Sequence, residues 1–190
     1  MKQDHIRVEV VAEHRGRIFF LDREADCALG TSATENKSEG DGATPLGDFA
    51  LRRLWFRPDR WERPQTPLPL SKISQKCGWS DDISDPHYNR YIELPHSYSH
   101  EKLWREDGLY DVFIELGYND GPVEPGRGSA IFLHLEKNGF QPTLGCVAVD
   151  KDMMRHIIAH ATEQTRLIIA KNRLNSVKKA KKSYNTRITR

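Results

Sequence analysis

The sequence predicts a mostly β protein with one clear helix and one long irregular insertion. Several short segments alternate apolar and polar residues, which is the pattern of strands that bury one face. One segment near the carboxyl end instead repeats its apolar residues at helical spacing. Between residues 55 and 110 neither period holds, and six of the ten prolines lie before residue 101 in this stretch. We therefore expect a β architecture interrupted by this insertion.

The first half of the chain predicts a hairpin followed by further strands. Ile6, Val8 and Val10 share one face of the first segment. The turn at residues 14–16 contains Gly16, so the next segment would return beside the first. Residues 34–44 are polar and contain glycine, which is typical of a loop. Four strands are expected in this half: 6–12, 17–21, 26–32 and 50–54.

The second half predicts three more strands, at residues 111–116, 130–135 and 165–170, and one helix. In the middle strand the odd-numbered apolar residues share one face, whereas Phe132 and His134 share the other. Asp150 or Asp152 would cap the helix. The apolar stripe of that helix consists of Met153, Met154, Ile157, Ile158 and Ala161.

Length, charge and composition limit the class of protein. A chain of 190 residues predicts one domain, here residues 1–170, with a tail over 171–190. The tail holds eight Lys/Arg and no acidic residue, so we expect a solvated basic end. The body shows no nucleic-acid motif, and no apolar run is long enough for a transmembrane segment. Because the start shows no signal peptide, a cytoplasmic protein is expected, or a periplasmic or cell-wall protein if a leader was removed.

The chemistry-bearing residues centre on one of three cysteines. An odd and widely spaced set predicts neither a disulfide framework nor a metal site. Cys146 follows Gly145, which permits a tight bend, and the N–H groups of both residues could face a developing oxyanion. His134 lies twelve residues earlier, where an adjacent strand would place its imidazole against the sulfur as the base that a thiol nucleophile needs. From spacing alone, a buried cysteine acting as a small apolar residue remains the competing interpretation.

Three motifs together resemble the L,D-transpeptidase catalytic domain family (YkuD type). The segment from Gly128 to His134, followed by Thr143-Leu144-Gly145-Cys146-Val147, is similar to the family signature of His followed by Ser/Thr-x-Gly-Cys. The segment Thr44-Pro45-Leu46-Gly47-Asp48-Phe49 is similar to its Thr-Pro-x-Gly-x-Phe segment. The resemblance covers roughly residues 30–170. It implies a β-sandwich-like or barrel-like fold carrying a helix.

The resemblance also implies an activity and roles for individual residues. Cys146 would attack a carbonyl of a peptidoglycan stem peptide or muropeptide, with His134 as base and no cofactor. The carbonyl of Leu135 would orient the imidazole, and Thr143 would shape the loop before the nucleophile. The product of the attack would be a thioester that an acceptor then resolves.

The chain departs from the family pattern where the substrate would be held. Many members carry Gly after the His and Arg two residues after the Cys, whereas this chain has Leu135 and Ala148 there. Other residues must therefore bind the substrate in this chain, and residues of the insertion are the candidates. Trp79, Tyr88 and Arg90 are predicted to contact substrate, and residues 55–110 are predicted to act as a lid. The competing interpretation of Trp79 is an anchor between a loop and the core.

Three functions stay open at this point. Transpeptidation uses an amine as the acceptor of the thioester, whereas an L,D-carboxypeptidase uses water. A catalytically silent peptidoglycan-binding module on the same scaffold is the third, but retention of both Cys146 and His134 argues against it. A papain-like protease is disfavoured because its Cys precedes its His.

Overall fold

The structure is a computed structural model that describes residues 5–137 and 139–171. It contains fourteen strands and one helix within those residues. The strands are β1 Ile6–Ala12, β2 Arg15–Phe20, β3 Arg23–Ala28, β4 Ser32–Thr34, β5 Ala43–Pro45, β6 Gly47–Phe56, β7 Leu70–Lys72, β8 Cys77–Ser80, β9 Tyr91–Glu93, β10 His100–Lys102, β11 Val112–Leu116, β12 Phe132–Leu135, β13 Val147–Val149 and β14 Arg166–Lys171. The helix α1 is Lys151–His160. The prediction of a mostly β fold with one clear helix is confirmed.

The main sheet has nine strands and closes on itself. Its order is β11-β12-β13-β3-β2-β1-β14-β6-β7, and β11 also pairs with β6. That additional pairing joins the two sides of the sheet into a barrel-like closed surface. Closure removes most exposed strand edges and encloses an apolar core, to which every strand of the ring contributes buried side chains.

Two strands of the first half begin or end away from their predicted positions. The strand predicted at 17–21 is β2, and that predicted at 26–32 is β3. The reason is a tight turn at Leu21, whose positive φ of 54° ends β2 and lets β3 start at Arg23. β1, β2 and β3 therefore form two successive hairpins, each with a two-residue turn.

The insertion is more regular than the sequence indicates. Trp55 and Phe56, at its predicted start, belong to β6 and pair with β11. Further on, β8, β9 and β10 form a separate three-stranded antiparallel sheet. The prolines and short strand lengths hide this small sheet, because three or four residues are too few to show a period.

The helix and the strand β12 behave as the sequence predicts. Asp150 is the N-cap and accepts a hydrogen bond from Met153 N at 2.7 Å, and the whole predicted apolar stripe is buried. On β12, Leu133 points into the barrel core, whereas Phe132 packs into a second apolar cluster. That cluster contains Trp79 and Leu103 from the insertion, so the small sheet covers the outer face of β12.

Two further predictions concern regions beyond the core. Most of the predicted basic tail, residues 172–190, lies outside the described residues. The described residues contain no helix long and apolar enough to cross a membrane.

Candidate active site

Two neighbouring strands bring Cys146 and His134 to one face of the sheet. β12 and β13 run parallel, with His134 opposite Ala148 and Leu133 opposite Val147. Cys146 directly precedes β13, two residues before Ala148, so its side chain shares the face of His134. Both side chains line one cleft of about 460 Å³. The chain between His134 and Cys146 therefore makes one crossover connection between two parallel neighbouring strands.

The thiol of Cys146 rests against the backbone of the segment that leads into β12. Its Sγ donates to the carbonyl of Ala130 at 3.2 Å and accepts from Phe132 N at 3.3 Å. The side chain is 7% exposed, and this burial raises the pKa of the Cys146 thiol to about 12, with the charge of Glu101 acting in the same direction. At neutral pH the resting cysteine is therefore a thiol.

His134 is held in one tautomer by the chain itself. Its Nδ1 lies 2.7 Å from the carbonyl oxygen of Leu135, and since a carbonyl only accepts, Nδ1 carries the proton. Nε2 is left as the basic nitrogen. Burial lowers the pKa of His134 to about 4, so the imidazole is neutral at physiological pH. The carbonyl that the family resemblance implied as orienting group makes this contact.

The direct contact expected between imidazole and sulfur is not a hydrogen bond in this structure. Within the described residues, Cys146 Sγ bonds to Ala130 and Phe132 instead of to His134. The sequence could not indicate this, because it depends on the rotamer of Cys146.

Thr143 holds the turn that carries the cysteine. Its Oγ1 donates to the carbonyl of Cys146 at 2.7 Å and accepts from Gly145 N at 3.1 Å. Gly145 has a φ of +132°, which favours glycine, and a Cβ there would lie 2.8 Å from Ala43 O. Because Gly145 N already donates to Thr143, it would have to exchange that partner before binding an oxyanion. The loop-shaping role expected for Thr143 matches these contacts.

Both charged and apolar side chains line the cleft. The charged ones include Asp81, Glu101, Arg105 and Lys137, and the apolar ones include Leu109, Pro142 and Leu144. Leu144 is 86% exposed although it stands two residues before the thiol. Burial raises the pKa of Glu101, whose carboxylate accepts from Tyr110 Oη at 2.7 Å. A cleft of this kind fits a ligand that carries charged groups on a partly apolar framework.

The three residues predicted to contact substrate lie away from this lining. Trp79 is buried, stacks edge-on against Phe132 and donates from Nε1 to the side chain of Asn89 at 3.0 Å. Tyr88 is also buried and donates from its hydroxyl to Glu39. Arg90 is exposed and donates to the carbonyl of Asp120 at 2.9 Å. None of the three is among the residues that line the cleft, although other parts of the insertion are.

Asn89 is a site residue that sequence reasoning missed. It is buried, with a positive φ of 54°, and all four of its amide positions are used. Its Oδ1 accepts from Trp79 Nε1 and Ala130 N, while Nδ2 donates to two carbonyls of the 118–119 turn. Ala130, also at positive φ, thereby presents its carbonyl to Cys146. Trp79 is therefore connected to the thiol of Cys146 by a chain of hydrogen bonds that passes through Asn89 and Ala130.

Comparison with known protein families identifies the family of this chain. The family model of the L,D-transpeptidase catalytic domain (YkuD) matches residues 7–169. Among solved structures, the chain is similar to the structure of Bdellovibrio bacteriovorus Bd1075, with 14% sequence identity and a TM-score of 0.46. That similarity covers 88% of this chain and 48% of the other, so this chain spans about half of that protein's length. No curated protein matches the chain. Because the family match spans most of its length, this protein belongs to the L,D-transpeptidase (YkuD) catalytic-domain family.

Proposed function

We propose that this protein is a cysteine acyltransferase that acts on peptidoglycan stem peptides through a thioester at Cys146. One observation carries the proposal. Cys146 and His134 line one cleft from the same face of paired strands, and the Leu135 carbonyl leaves His134 Nε2 as the basic nitrogen. This arrangement supports nucleophilic catalysis by a thiol with an oriented base.

The first half of the reaction forms the thioester. Cys146 Sγ attacks the carbonyl that precedes the terminal D-amino acid, and His134 Nε2 takes the thiol proton. The tetrahedral intermediate collapses with cleavage of the C–N bond. His134 returns the proton to the departing amine, which leaves as the free D-amino acid.

The second half transfers the acyl group to an acceptor. An acceptor amine attacks the thioester carbonyl, His134 Nε2 removes a proton from that amine, and the C–S bond breaks. The thiolate of Cys146 then recovers a proton from His134, which restores the resting state. Water in place of the amine would give hydrolysis, with the same enzyme groups in the same roles.

The resting state requires an activation step before the first attack. Burial favours the neutral form of both groups, because it raises the pKa of Cys146 and lowers the pKa of His134. The thiol also has to leave the carbonyl of Ala130 to reach the imidazole. We assign this step to substrate binding, which would displace water from the cleft and bring a polarised carbonyl beside the sulfur.

The lining of the cleft supports a charged peptide as the substrate. Glu101 and Arg105 both line the cleft and lie 3.4 Å apart, so ammonium and carboxylate groups of one ligand can each find an opposite charge. Leu109 and Leu144 offer apolar contact for the peptide framework. A stem peptide, which combines free charges with short apolar side chains, fits this mixed lining.

A defined disaccharide-tetrapeptide tests the proposal. Purified protein is incubated with it, with and without an added D-amino acid, and the products are followed by mass spectrometry. We expect exchange of the terminal residue, loss of exchange in Cys146→Ala, and retained exchange in the matched variant Cys27→Ala, whose thiol lies in the barrel core. Release of the D-amino acid without an acceptor would reassign the enzyme as an L,D-carboxypeptidase. Unchanged exchange in Cys146→Ala would overturn the assignment of the nucleophile.

A further inference from the structure

A buried lysine lies beside the catalytic turn. Lys37 is 3% exposed, and its Nζ lies 2.6 Å from Asp41 Oδ1. The Asp41 carboxylate also accepts from Ser38 N and Ala43 N, each at 2.8 Å. The loop before β5 thus holds the carboxylate, and the carboxylate holds the ammonium. A lysine is rarely so buried, so its position calls for a reason.

Two glycines make room for this side chain. A Cβ at Gly128 would lie 2.7 Å from Lys37 Cε, and a Cβ at Gly145 would lie 3.2 Å from Nζ. Both glycines have a positive φ. The lysine stem therefore passes against Gly128 and delivers its ammonium to the residue that precedes Cys146.

We propose that Lys37 is a positioning residue of this active centre, whose ammonium beside the Gly145–Cys146 peptide favours negative charge on the sulfur and on the developing oxyanion. The inference rests on the proposed function, since it assigns Cys146 as the nucleophile. It adds a fixed positive charge to a turn whose Gly145 N–H is already occupied by Thr143. A charge that stays in place before and after the attack needs no reorganisation during it.

The charges around the sulfur determine how this effect is measured. Lys37 and Arg105 lower the pKa of the Cys146 thiol, whereas burial and Glu101 raise it. Tyr110 and His134 also line the cleft, and both are neutral at pH 7 because burial raises the pKa of the Tyr110 phenol and lowers the pKa of the His134 imidazole. Loss of Lys37 therefore leaves Arg105 as the remaining cation that opposes burial and Glu101.

A purely structural role for Lys37 makes the opposite prediction. If the Lys37–Asp41 pair only braces the loop, its removal loosens the turn and exposes the thiol, so alkylation of Cys146 accelerates. If the charge acts on the sulfur, removal leaves less thiolate at any pH below the pKa, so alkylation slows. The direction of the change separates the two roles without reference to turnover.

The experiment measures alkylation of Cys146 by iodoacetamide at pH 9, resolved by peptide mass spectrometry. Lys37→Met keeps the length of the side chain and removes its charge, and we expect alkylation to slow about three- to tenfold, as the loss of a nearby opposite charge implies. Lys76→Met, at an exposed lysine paired with Glu93, is the matched control and should leave the rate unchanged.

Buried Cys27 and Cys77 serve as internal monitors of loosening, because a disturbed fold would expose them as well. An unchanged or faster rate at Cys146 in Lys37→Met, with both monitors still protected, would overturn the inference. If Lys37→Met does not fold, Lys37→Gln decides, because it can still donate to Asp41 but carries no charge: slower alkylation confined to Cys146 supports the charge, and unchanged or faster alkylation rejects it. Because no substrate is used, failure of the proposed peptidoglycan activity would leave this result readable.

Discussion

Replacement of Thr143 by valine tests how the turn holds the nucleophile. The substitution keeps the branched shape of the side chain and removes only its hydroxyl. Two hydrogen bonds disappear together, one to the carbonyl of Cys146 and one from the N–H of Gly145. The backbone bond from Thr143 N to Leu29 O, at 2.9 Å, remains, so the loop keeps its attachment to the barrel.

The structure sets the size of the effect. Each hydrogen bond contributes about 1–1.5 kcal/mol net, so the free energy of unfolding should fall by about 2–3 kcal/mol. For a chain of this length the melting temperature should fall by roughly 5–10 °C. A turn that no longer fixes Cys146 should also lower kcat/KM by about tenfold to a hundredfold, because small displacements of reacting groups are costly.

Thermal unfolding and exchange of the terminal D-amino acid measure the two effects. Thr143→Ser is the control, since serine keeps the hydroxyl and loses only a methyl group. It should remain within about 1 kcal/mol of the parent protein. The explanation is wrong if valine and serine give equal losses, or if valine raises activity, which would mean that freeing Gly145 N–H matters more than fixing the turn.

Three further predictions concern the thiol, the insertion and the helix. The alkylation rate of Cys146 should rise about tenfold per pH unit from pH 7 to 10, because the pKa of about 12 keeps the thiol mostly protonated there; a plateau below pH 8, read by peptide mass spectrometry, would show a thiolate already formed. Trp79→Phe should destabilise by about 1–3 kcal/mol in denaturant unfolding, since Asn89 loses a buried donor, while KM stays near its parent value; a rise in KM at unchanged stability would restore Trp79 as a substrate contact. Asp150→Ala should cost about 1 kcal/mol through loss of the helix cap, measured by thermal unfolding, whereas Asp152→Ala, in the first turn but not at the cap, should change little.

Much of the fold follows from periodicity, and its failures have a common cause. The helix was predicted with the correct buried face because its apolar residues repeat over ten residues, and β12 was found because it lies within the mostly apolar segment at 130–135. The sheet formed by β8, β9 and β10 was missed because its strands have only three or four residues. Closure of the barrel through the β11–β6 pair was also beyond local patterns, since about 60 residues of chain separate the paired strands.

The residues of the candidate site also fall into two groups, those that local sequence patterns indicate and those that only distant contacts bring to the site. Spacing and motif sufficed to nominate Cys146, His134 and Thr143, which are close in sequence and lie on adjoining elements. Their roles as nucleophile, base and turn remain predictions that await the experiments above. Lys37 and Asn89 carried no sequence signal, because each reaches the site from a different loop and acts through contacts that only the folded chain creates. A glycine at 128 and another at 145 were the available hints, since each leaves space that a distant side chain fills.

A raised thiol pKa does not by itself distinguish the candidate nucleophile. Burial also raises the pKa of Cys27 to about 12, yet that residue lies within the barrel core and is not among the residues that line the cleft of Cys146. Relative to an ordinary thiol at 9.0, three pKa units correspond to about 4 kcal/mol against the thiolate in either place. The difference lies in what can offset that cost. Around Cys146 a backbone N–H already donates to the sulfur, Lys37 and Arg105 favour its negative charge, and the cleft admits a substrate. We therefore expect both buried thiols to be protonated at rest, and we expect a ligand in the cleft to offset the cost of the thiolate only at Cys146.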